Sequence, residues 1–537
     1  MIRLHNIRVP LHYTDSTLAH AAAKQLGIPA AKVHSCTLAR RSVDARKKAD
    51  IGFVVSLDVS LDASDERRIA ARMTEAQGGL VLPWTPPVFP KPTKCKDRPI
   101  VIGFGPAGMF AALVLAEAGT CPIVLERGHD VDTRLRDVEA YQREGAKAFS
   151  PVSNIQFGEG GAGTFSDGKL NTGTKDPNAE YVLRTLVRFG APQEILTDAK
   201  PHVGTDRLSG VVKALRQEII RLGGEVRFGA RVTRLLRNDH VLCGIRFEQD
   251  GTEHELACCQ AVLAIGHSSR DTFTSLYEDG FTMIQKPFSI GARIEHPQVL
   301  IDRAQYGSFA GHPRLTPADY KLSTHLADGR GVYTFCMCPG GEVVAAASEP
   351  DSVVTNGMSR YARDGENANS ALLVGIGPED FGGDHPLAGM MLQRRIEQQA
   401  FLLGGSRGYA PCMRLGSLLG NAAPGSGVNP SYRPGVVDAD LGKLLPDYVI
   451  RSMREAIPQF AAKLRGFDLP DAVLTGPETR SSSPVRLPRD EHTVSVDAAG
   501  LHPCGEGAGF AGGITSAAVD GVRCAAAILE QLSEEEV

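Results

Sequence analysis

Residues 99–128 read PIVIGFGPAGMFAALVLAEAGTCPIVLERG. The run Ile100-Val101-Ile102 has the unbroken apolar character of a strand buried on both faces. Gly103, Gly105 and Gly108 follow in G-x-G-x-x-G spacing, and the Ala- and Leu-rich run after them predicts a helix. A second apolar run, Ile123-Val124-Leu125, ends on Glu126. Strand, glycine turn, helix, strand and acid in this order predict a dinucleotide-binding unit. Gly103 permits the turn, Gly105 lets backbone approach a pyrophosphate, and Gly108 lets the helix press on the strand, a contact that Ala112 keeps tight. The unpaired N–H groups of the first helical turn receive phosphate, helped by the positive end of the helix dipole. Glu126, eighteen residues past Gly108, is placed to accept hydrogen bonds from both hydroxyls of an adenosine ribose. An acid there disfavours a 2′-phosphate, so the unit is read as one for FAD or NAD rather than NADP.

Two further glycine-rich stretches extend the site. Residues 154–171, NIQFGEGGAGTFSDGKLN, carry five glycines, with Ile155, Phe157 and Phe165 as apolar anchors. Such a loop wraps a second face of an extended cofactor. Near the C-terminus residues 501–521, LHPCGEGAGFAGGITSAAVDG, place an acid after a strand and before a small-residue helix. Glu506 is expected to bind ribityl hydroxyls, and the helix starting near Gly513 to aim N–H groups at the flavin N1–C2=O edge. Only a long cofactor needs glycine-rich loops at both ends of a chain, which selects FAD over NAD. The candidate cofactor contacts are Gly103, Gly105, Pro106, Ala107, Gly108, Glu126, Arg127, Gly161, Gly163, Ser166, Val232, Gly266, Gly505, Glu506, Gly513 and Ile514. Val232 lies on one of two strands (225–228 and 231–235) expected to cross beside the adenine after a helix over 208–222. Gly266 ends a buried strand over 261–265, and a further strand is expected over 493–496.

Residues 1–84 read as a small α+β domain with strands over 2–11, 51–59 and 80–82 and helices over 16–25 and 65–75. The order β-α-β-β-α-β predicts a ferredoxin-like sandwich, with one strand weakly defined near the basic residues Arg40, Arg41, Arg46, Lys47 and Lys48. Residues 85–98 are a Pro-rich linker, and Trp84, the single tryptophan, is expected to anchor it by packing. The FAD-binding domain then occupies 99–270 and 471–537. Between its halves, residues 271–470 form an inserted α+β substrate domain. Strands over 288–294, 331–337 and 342–347 and helices over 390–403 and 444–457 are expected there. The fold class is therefore α/β: a Rossmann-like FAD-binding domain, an insert and a ferredoxin-like N-terminal domain.

At 537 residues the chain has room for two to four domains. No apolar run reaches the ~18 residues that span a membrane, and the start lacks a signal layout. Eleven scattered cysteines fit reduced thiols in a cytoplasm. The net charge of −4 argues against nucleic acid as the main partner, yet residues 1–96 hold fifteen Lys and Arg against eight Asp and Glu. That is +7, leaving −11 elsewhere, and it is read as docking of a basic domain on an acidic one, with an RNA partner as the alternative.

A flavin carries electrons itself, so the chain need only supply orientation and proton transfer. No C-x-x-C dithiol is present, and G-x-S-x-G occurs only at 404–408, behind an expected helix rather than the strand a nucleophile elbow needs. The histidines lack metal-ligand spacing, so no metal is expected. The candidate catalytic residues are Asp167 and Lys169, Arg293 and His296 in GARIEHPQ, Cys336 and Cys338, and Arg480 in ETRSSSPVR. On a regular strand the Cα atoms of Cys336 and Cys338 would stand roughly 6.6–7 Å apart, at the edge of disulfide reach.

With GFGPAGMFAA, NIQFGEGGAGTFSDGKLNT, AIGHSSRDTF, PFSIGARIEHPQ, TFCMCPGGEVV, TRSSSPVR and CGEGAGFAGGITSAAVDG, nearly the whole chain resembles the uncharacterised bacterial FAD-dependent dehydrogenases of the glutathione-reductase-like flavoprotein superfamily. The resemblance implies FAD contacts at Gly105, Ala107, Gly108, Glu126, Arg127, Val232, Gly266, Glu506 and Ile514. Where many relatives carry Gly-Asp before the last helix, this chain has Gly505-Glu506. The activity implied is that of an FAD-dependent dehydrogenase or reductase of an organic substrate, with NAD(P)H as a transient reductant or a protein as electron partner. The alternative is a flavin-bound RNA-interacting or regulatory protein acting through the basic domain.

Overall fold

A computed structural model of the chain describes residues 1–92, 97–170, 173, 175–421 and 427–534. Residues 93–96 of the expected linker and Asn171 of the second glycine stretch lie outside the described residues. The N-terminal segment forms β1 (Ile2–Pro10), α1 (Asp15–Leu26), β2 (Ser35–Asp44), β3 (Gly52–Ser60), α2 (Ala63–Ala70) and β4 (Gly78–Leu80). The sheet runs β2-β3-β1-β4 with every pairing antiparallel. Thr14 and Thr17 cap α1 reciprocally, and Gly27 ends it in the left-handed region at φ +65. Of the basic residues, Arg40 and Arg41 lie in β2, and Arg46, Lys47 and Lys48 lie in the turn after it. α2 is shorter than the expected 65–75, and the last strand starts at Gly78 rather than at residue 80. Gly78 sits at φ +137 with its Cα face against the Arg3 carbonyl, where a Cβ would stand 1.9 Å from that oxygen. Glycine's weak strand propensity hides such a close backbone pairing in sequence.

The second layer builds on β5 (Ile100–Ile102), α3 (Pro106–Glu117), β6 (Ile123–Leu125), α4 (Val131–Glu144), α5 (Asn178–Arg188), α6 (Thr205–Arg221) and β7 (Glu225–Arg227). An antiparallel meander follows, β8 (Arg231–Asn238), β9 (Val241–Gln249) and β10 (Thr252–Ala257), then β11 (Ala261–Leu263). The strand Leu501–Pro503 returns to complete a five-stranded parallel sheet in which it pairs with β11, followed by β5, β6 and β7. α3 is apolar and buried from Ala107 to Ala116, as a helix enclosed on all sides must be. The C-terminal helix Ile514–Glu534 covers it so closely that a Cβ on Gly521 would stand 2.0 Å from the Ala107 carbonyl oxygen. Residues 493–496 are not the expected strand. Thr493 has φ +66, and Asp490 accepts the Val494 N–H at 2.8 Å, which closes a turn instead. Trp84 packs on the helical side of this layer, with the Arg184 guanidinium over its ring at 4.6 Å.

The third layer is a seven-stranded sheet. Its order is Ser323–His325, Gly331–Cys338, Asn367–Ile376, Phe288–Pro297, Val473–Glu478, Ala410–Arg414 and Val436–Asp438. The strand Val473–Glu478 pairs with Phe288–Pro297 and with Ala410–Arg414, so this sheet continues past the expected boundary at 470. Glu342–Ala345 pairs with Thr355–Met358 in a separate ribbon rather than joining it. Helices Ala388–Leu403 and Asp447–Lys463 pack against the sheet. Ile2, Leu4, Leu57 and Val59 of the N-terminal sheet share one continuous core with Ile290, Ile294 and Leu372 of the large one.

Candidate active site

A cavity of about 760 Å³ lies where the parallel sheet, the loop over 154–170 and the seven-stranded sheet meet. Gly103, Gly105, Pro106, Ala107, Glu126, Arg127, Gly161, Gly163, Ser166, Val232, Gly266, Glu506, Gly513 and Ile514 all line it. Gly108 and Gly505 do not. Gly108 lies beneath the turn, where a Cβ would be 2.0 Å from the Gly103 carbonyl oxygen. Gly505 donates its N–H to Asp520 at 2.7 Å, and a Cβ on it would be 2.9 Å from the Cβ of Ala107.

The phosphate-sized part of the cavity is made of backbone. Gly103 turns the chain at φ +96, and Gly105 caps α3 with Pro106 at the first helical position, which suits an orphan N–H site. Gly161 of the second loop approaches so closely that its Cβ would be 3.0 Å from the Gly105 Cα. Two glycine loops thus face each other, and the start of the C-terminal helix forms a third wall. This is a cradle that side chains would fill, and it fits the pyrophosphate of a dinucleotide. Glu126 is 5% exposed, and its carboxylate accepts N–H groups from Phe104 (2.7 Å), Gly128 (2.8 Å) and Gly158 (3.0 Å). A carboxylate offers about four acceptor positions, so room for one further hydrogen bond remains.

Arg134 of α4 shapes the second loop. Fully buried, it donates to the carbonyls of Asn154, Ile155 and Glu159, each at 2.7 Å, and its guanidinium lies over Phe165. No pattern in α4 marks this role, because the carbonyls it gathers belong to an irregular loop. Arg134→Lys keeps the charge but reaches fewer carbonyls. At roughly 1.5–3 kcal/mol per charged hydrogen bond, this variant is expected to release bound flavin on gel filtration while its helical circular dichroism stays unchanged.

The catalytic candidates separate. Asp167, Lys169, Cys336 and Arg480 line the cavity, whereas Arg293, His296 and Cys338 do not. Asp167 is held by Arg363 through both carboxylate oxygens and by Ser359. Lys169 stands 3.7 Å from it. Arg293 is fully buried and pairs with both Glu478 oxygens at 2.5 and 2.9 Å. Burial pushes the Glu478 carboxyl up to about 7 against the pull of Arg293. Arg480 pairs with Glu397, which also binds Arg270, so one carboxylate bridges two buried guanidiniums. Burial pushes the Glu397 carboxyl up, but Arg270 and Arg480 outweigh it and hold it below its ordinary range. Glu478, Phe335, Met337, Asp319 and Lys321 line the cavity too. They lie outside the glycine motifs, in or beside strands of the large sheet, where nothing in the sequence tells which residues face a cavity.

His296 points away from the cavity, with its Nε2 2.8 Å from the Phe467 carbonyl oxygen. Burial lowers its pKa to about 4, and does the same for His502. Between about pH 6.5 and 4 the unfolded chain therefore binds protons that the folded one refuses. The stabilisation is fully present above pH 6.5 and is lost as the pH falls, by roughly 2 kcal/mol per histidine at pH 5. A urea midpoint that falls from pH 7 to pH 5 is the expected result, and a flat one would contradict it.

Cys504, Asp520 and Cys524 bring their ligand atoms within 4.8 Å of one another, the one such group of His, Cys, Asp and Glu among the described residues. Asp520, however, is already bound by Arg489 at 2.6 and 3.0 Å and by the Gly505 N–H. The guanidinium opposes a cation there, and the trio packs the last helix onto its strand. Much of the basic charge of the first segment is likewise paired, in Arg3–Asp58, Arg8–Asp50, Arg46–Asp44 and Lys32–Asp65. Arg41 reaches across to Asp198 at 2.8 Å, which matches docking between segments and gives the RNA alternative no support. Among the described residues no helix is long and apolar enough to cross a membrane.

Comparison with known proteins adds the family. A model described as FAD-dependent protein, C-terminal domain-like, matches residues 287–481, and a domain of unknown function matches residues 1–60. A Methanosarcina acetivorans digeranylgeranylglycerophospholipid reductase is 27% identical over 173 residues, 32% of this chain and 38% of its own. The solved 3-ketosteroid-Δ4-(5α)-dehydrogenase of Rhodococcus jostii RHA1, in complex with 4-androstene-3,17-dione, is 14% identical, with 83% of this chain and 100% of that one covered at a TM-score of 0.35. An uncharacterized protein of Clostridium beijerinckii is 46% identical over 535 residues, 99% of each chain. The chain belongs to the same family as this Clostridium beijerinckii protein, and its residues 287–481 match the FAD-dependent model.

Proposed function

We propose that the protein is an FAD-dependent oxidoreductase, a dehydrogenase or reductase of an organic substrate. The observation that carries this reading is one continuous cavity lined by the glycine loops at 103–107 and 161–163, by Glu126 and by the start of the C-terminal helix. When bound, FAD supplies hydride or electron transfer. Glu126 and Val232 hold the adenosine end, backbone N–H groups of α3 the pyrophosphate, and Glu506 the ribityl chain. The N-terminus of Ile514–Glu534 lines the cavity and would stabilise negative charge on the flavin edge. The seven-stranded sheet closes the cavity from the other side, and Phe335 and Met337 give that wall its apolar character, as a substrate site requires. The parallel sheet with its antiparallel meander supports a glutathione-reductase-type FAD domain. The order β2-β3-β1-β4 supports a ferredoxin-like N-terminal domain over 1–84. The ten described cysteines are all free thiols, which suits the cytoplasm.

The purified protein is expected to carry a flavin absorption spectrum. Recording it anaerobically before and after adding NADH or NADPH divides the possibilities. Rapid bleaching makes NAD(P)H the transient reductant, and an unbleached flavin points to reduction by the organic substrate or a protein partner. Absence of flavin, with none regained on adding FAD, would sink the reading.

A further inference from the structure

Cys336 and Cys338 end the strand Gly331–Cys338, and the strand is irregular there. Cys336 has φ +46, a conformation uncommon for a residue with a side chain. The pairing with Asn367–Ile376 slips between Phe335 and Cys338. This kink takes the two cysteines off the regular strand spacing that would hold them apart. Cys338 Sγ lies 3.2 Å from the Cys336 carbonyl oxygen, and its thiol is within hydrogen-bond reach of the Cys336 sulfur. Cys336 lines the cavity, as Lys169 does, while Cys338 is fully buried. Arg293 donates to the Cys336 carbonyl at 2.9 Å. The Cys338 thiol holds the Cys336 thiol below its ordinary range against burial, with Lys169 and Arg293 helping and Asp167 opposing.

We propose that Cys336 and Cys338 form a dithiol/disulfide couple that exchanges an electron pair with the FAD, Cys336 being the cavity-lining sulfur. The proposal rests on the FAD reading above. In the reduced pair, the Cys336 thiolate and the Cys338 thiol join in one S–S bond as the Cys338 S–H bond breaks. Two electrons and that proton pass to the oxidised flavin. The reverse transfer reopens the S–S bond and returns the proton to Cys338. The couple thereby stores a second electron pair beside the cofactor. Cys504 lines the cavity as well, but burial, Cys524 and Asp520 push its thiol up, against the thiolate that exchange needs.

Anaerobic dithionite titration of the air-oxidised holoenzyme tests this. A flavin alone takes two electrons, and flavin plus disulfide takes four. Four electrons per flavin are expected in the wild type and two in Cys336→Ser and in Cys338→Ser. Alkylation with iodoacetamide in denaturant, read by mass spectrometry, is expected to label the pair only in protein reduced beforehand. A wild-type count of two overturns the proposal while leaving the FAD reading intact, and it does so even if the variants fail to fold. A count of four that persists in both variants overturns it as well, since the second centre would then lie elsewhere. Protein that neither carries nor regains flavin overturns both readings together.

Discussion

Glu397→Gln is expected to cost about 3–5 kcal/mol of stability, because it leaves charge buried without its partner. Glu397 and Arg480 have side chains 0% and 2% exposed, and Arg270 is 1% exposed. Glu397 lies on helix Ala388–Leu403, Arg270 opens the helix Arg270–Glu278 (α7), and Arg480 follows the strand Val473–Glu478. One carboxylate therefore ties three elements together. Arg270 keeps Glu349 at 2.6 Å when Glu397 is neutralised, but Arg480 keeps only the hydroxyls of Ser268 and Ser348. Most of the penalty thus falls on Arg480. The urea midpoint is expected to drop sharply in Glu397→Gln and to recover in part when Arg480→Met is added, since the second change removes the stranded cation. A single variant with the wild-type midpoint would show that the site admits water.

A comparable loss is expected from Gly108→Ala, and here the cause is steric. The added Cβ would stand 2.0 Å from the Gly103 carbonyl oxygen and 3.0 Å from its carbon. Both are backbone atoms in a turn already set by φ +96, so α3 must lift off β5. Overpacking of this kind costs about 1–3 kcal/mol or more, and displacement of the helix start should leave the purified protein without flavin. Gly210→Ala is the control. Gly210 is exposed inside α6 with no heavy atom within 4 Å of the new Cβ. Removing a helical glycine there should stabilise by about 0.5–1 kcal/mol. Flavin content and the urea midpoint measured on both variants separate a clash from a general response to alanine.

The contrast between those two glycines shows what the sequence discloses. The nucleotide unit is legible because its constraints are local: turn, close approach and acid all fall within residues 99–128. The large sheet is opaque for the opposite reason. Phe288–Pro297 is buried on both faces almost throughout, so it lacks the alternation that marks a half-exposed strand. Its neighbours come from residues 367–376 and 473–478, which no local signal pairs. Within GARIEHPQ the period of two puts Arg293 and His296 on opposite faces. One therefore reaches Glu478 and the Cys336 carbonyl, while the other turns to Phe467. No sequence signal marks Glu478, because burial beside an arginine gives it its character, and burial is not written in a residue's flanks.

The nucleotide fold is closed by its two distant ends, with Leu501–Pro503 pairing beside β11 and Ile514–Glu534 lying on α3. During translation the first glycines emerge long before their covering helix. At about 5–20 residues per second, the gap lasts roughly 20–80 s. Through that interval α3 has neither its outer partner nor the third wall of the cradle. Cofactor capture must therefore wait for residues 514–534 to pack on α3, and until then the half-made sheet, with β11 an open edge, is exposed to aggregation.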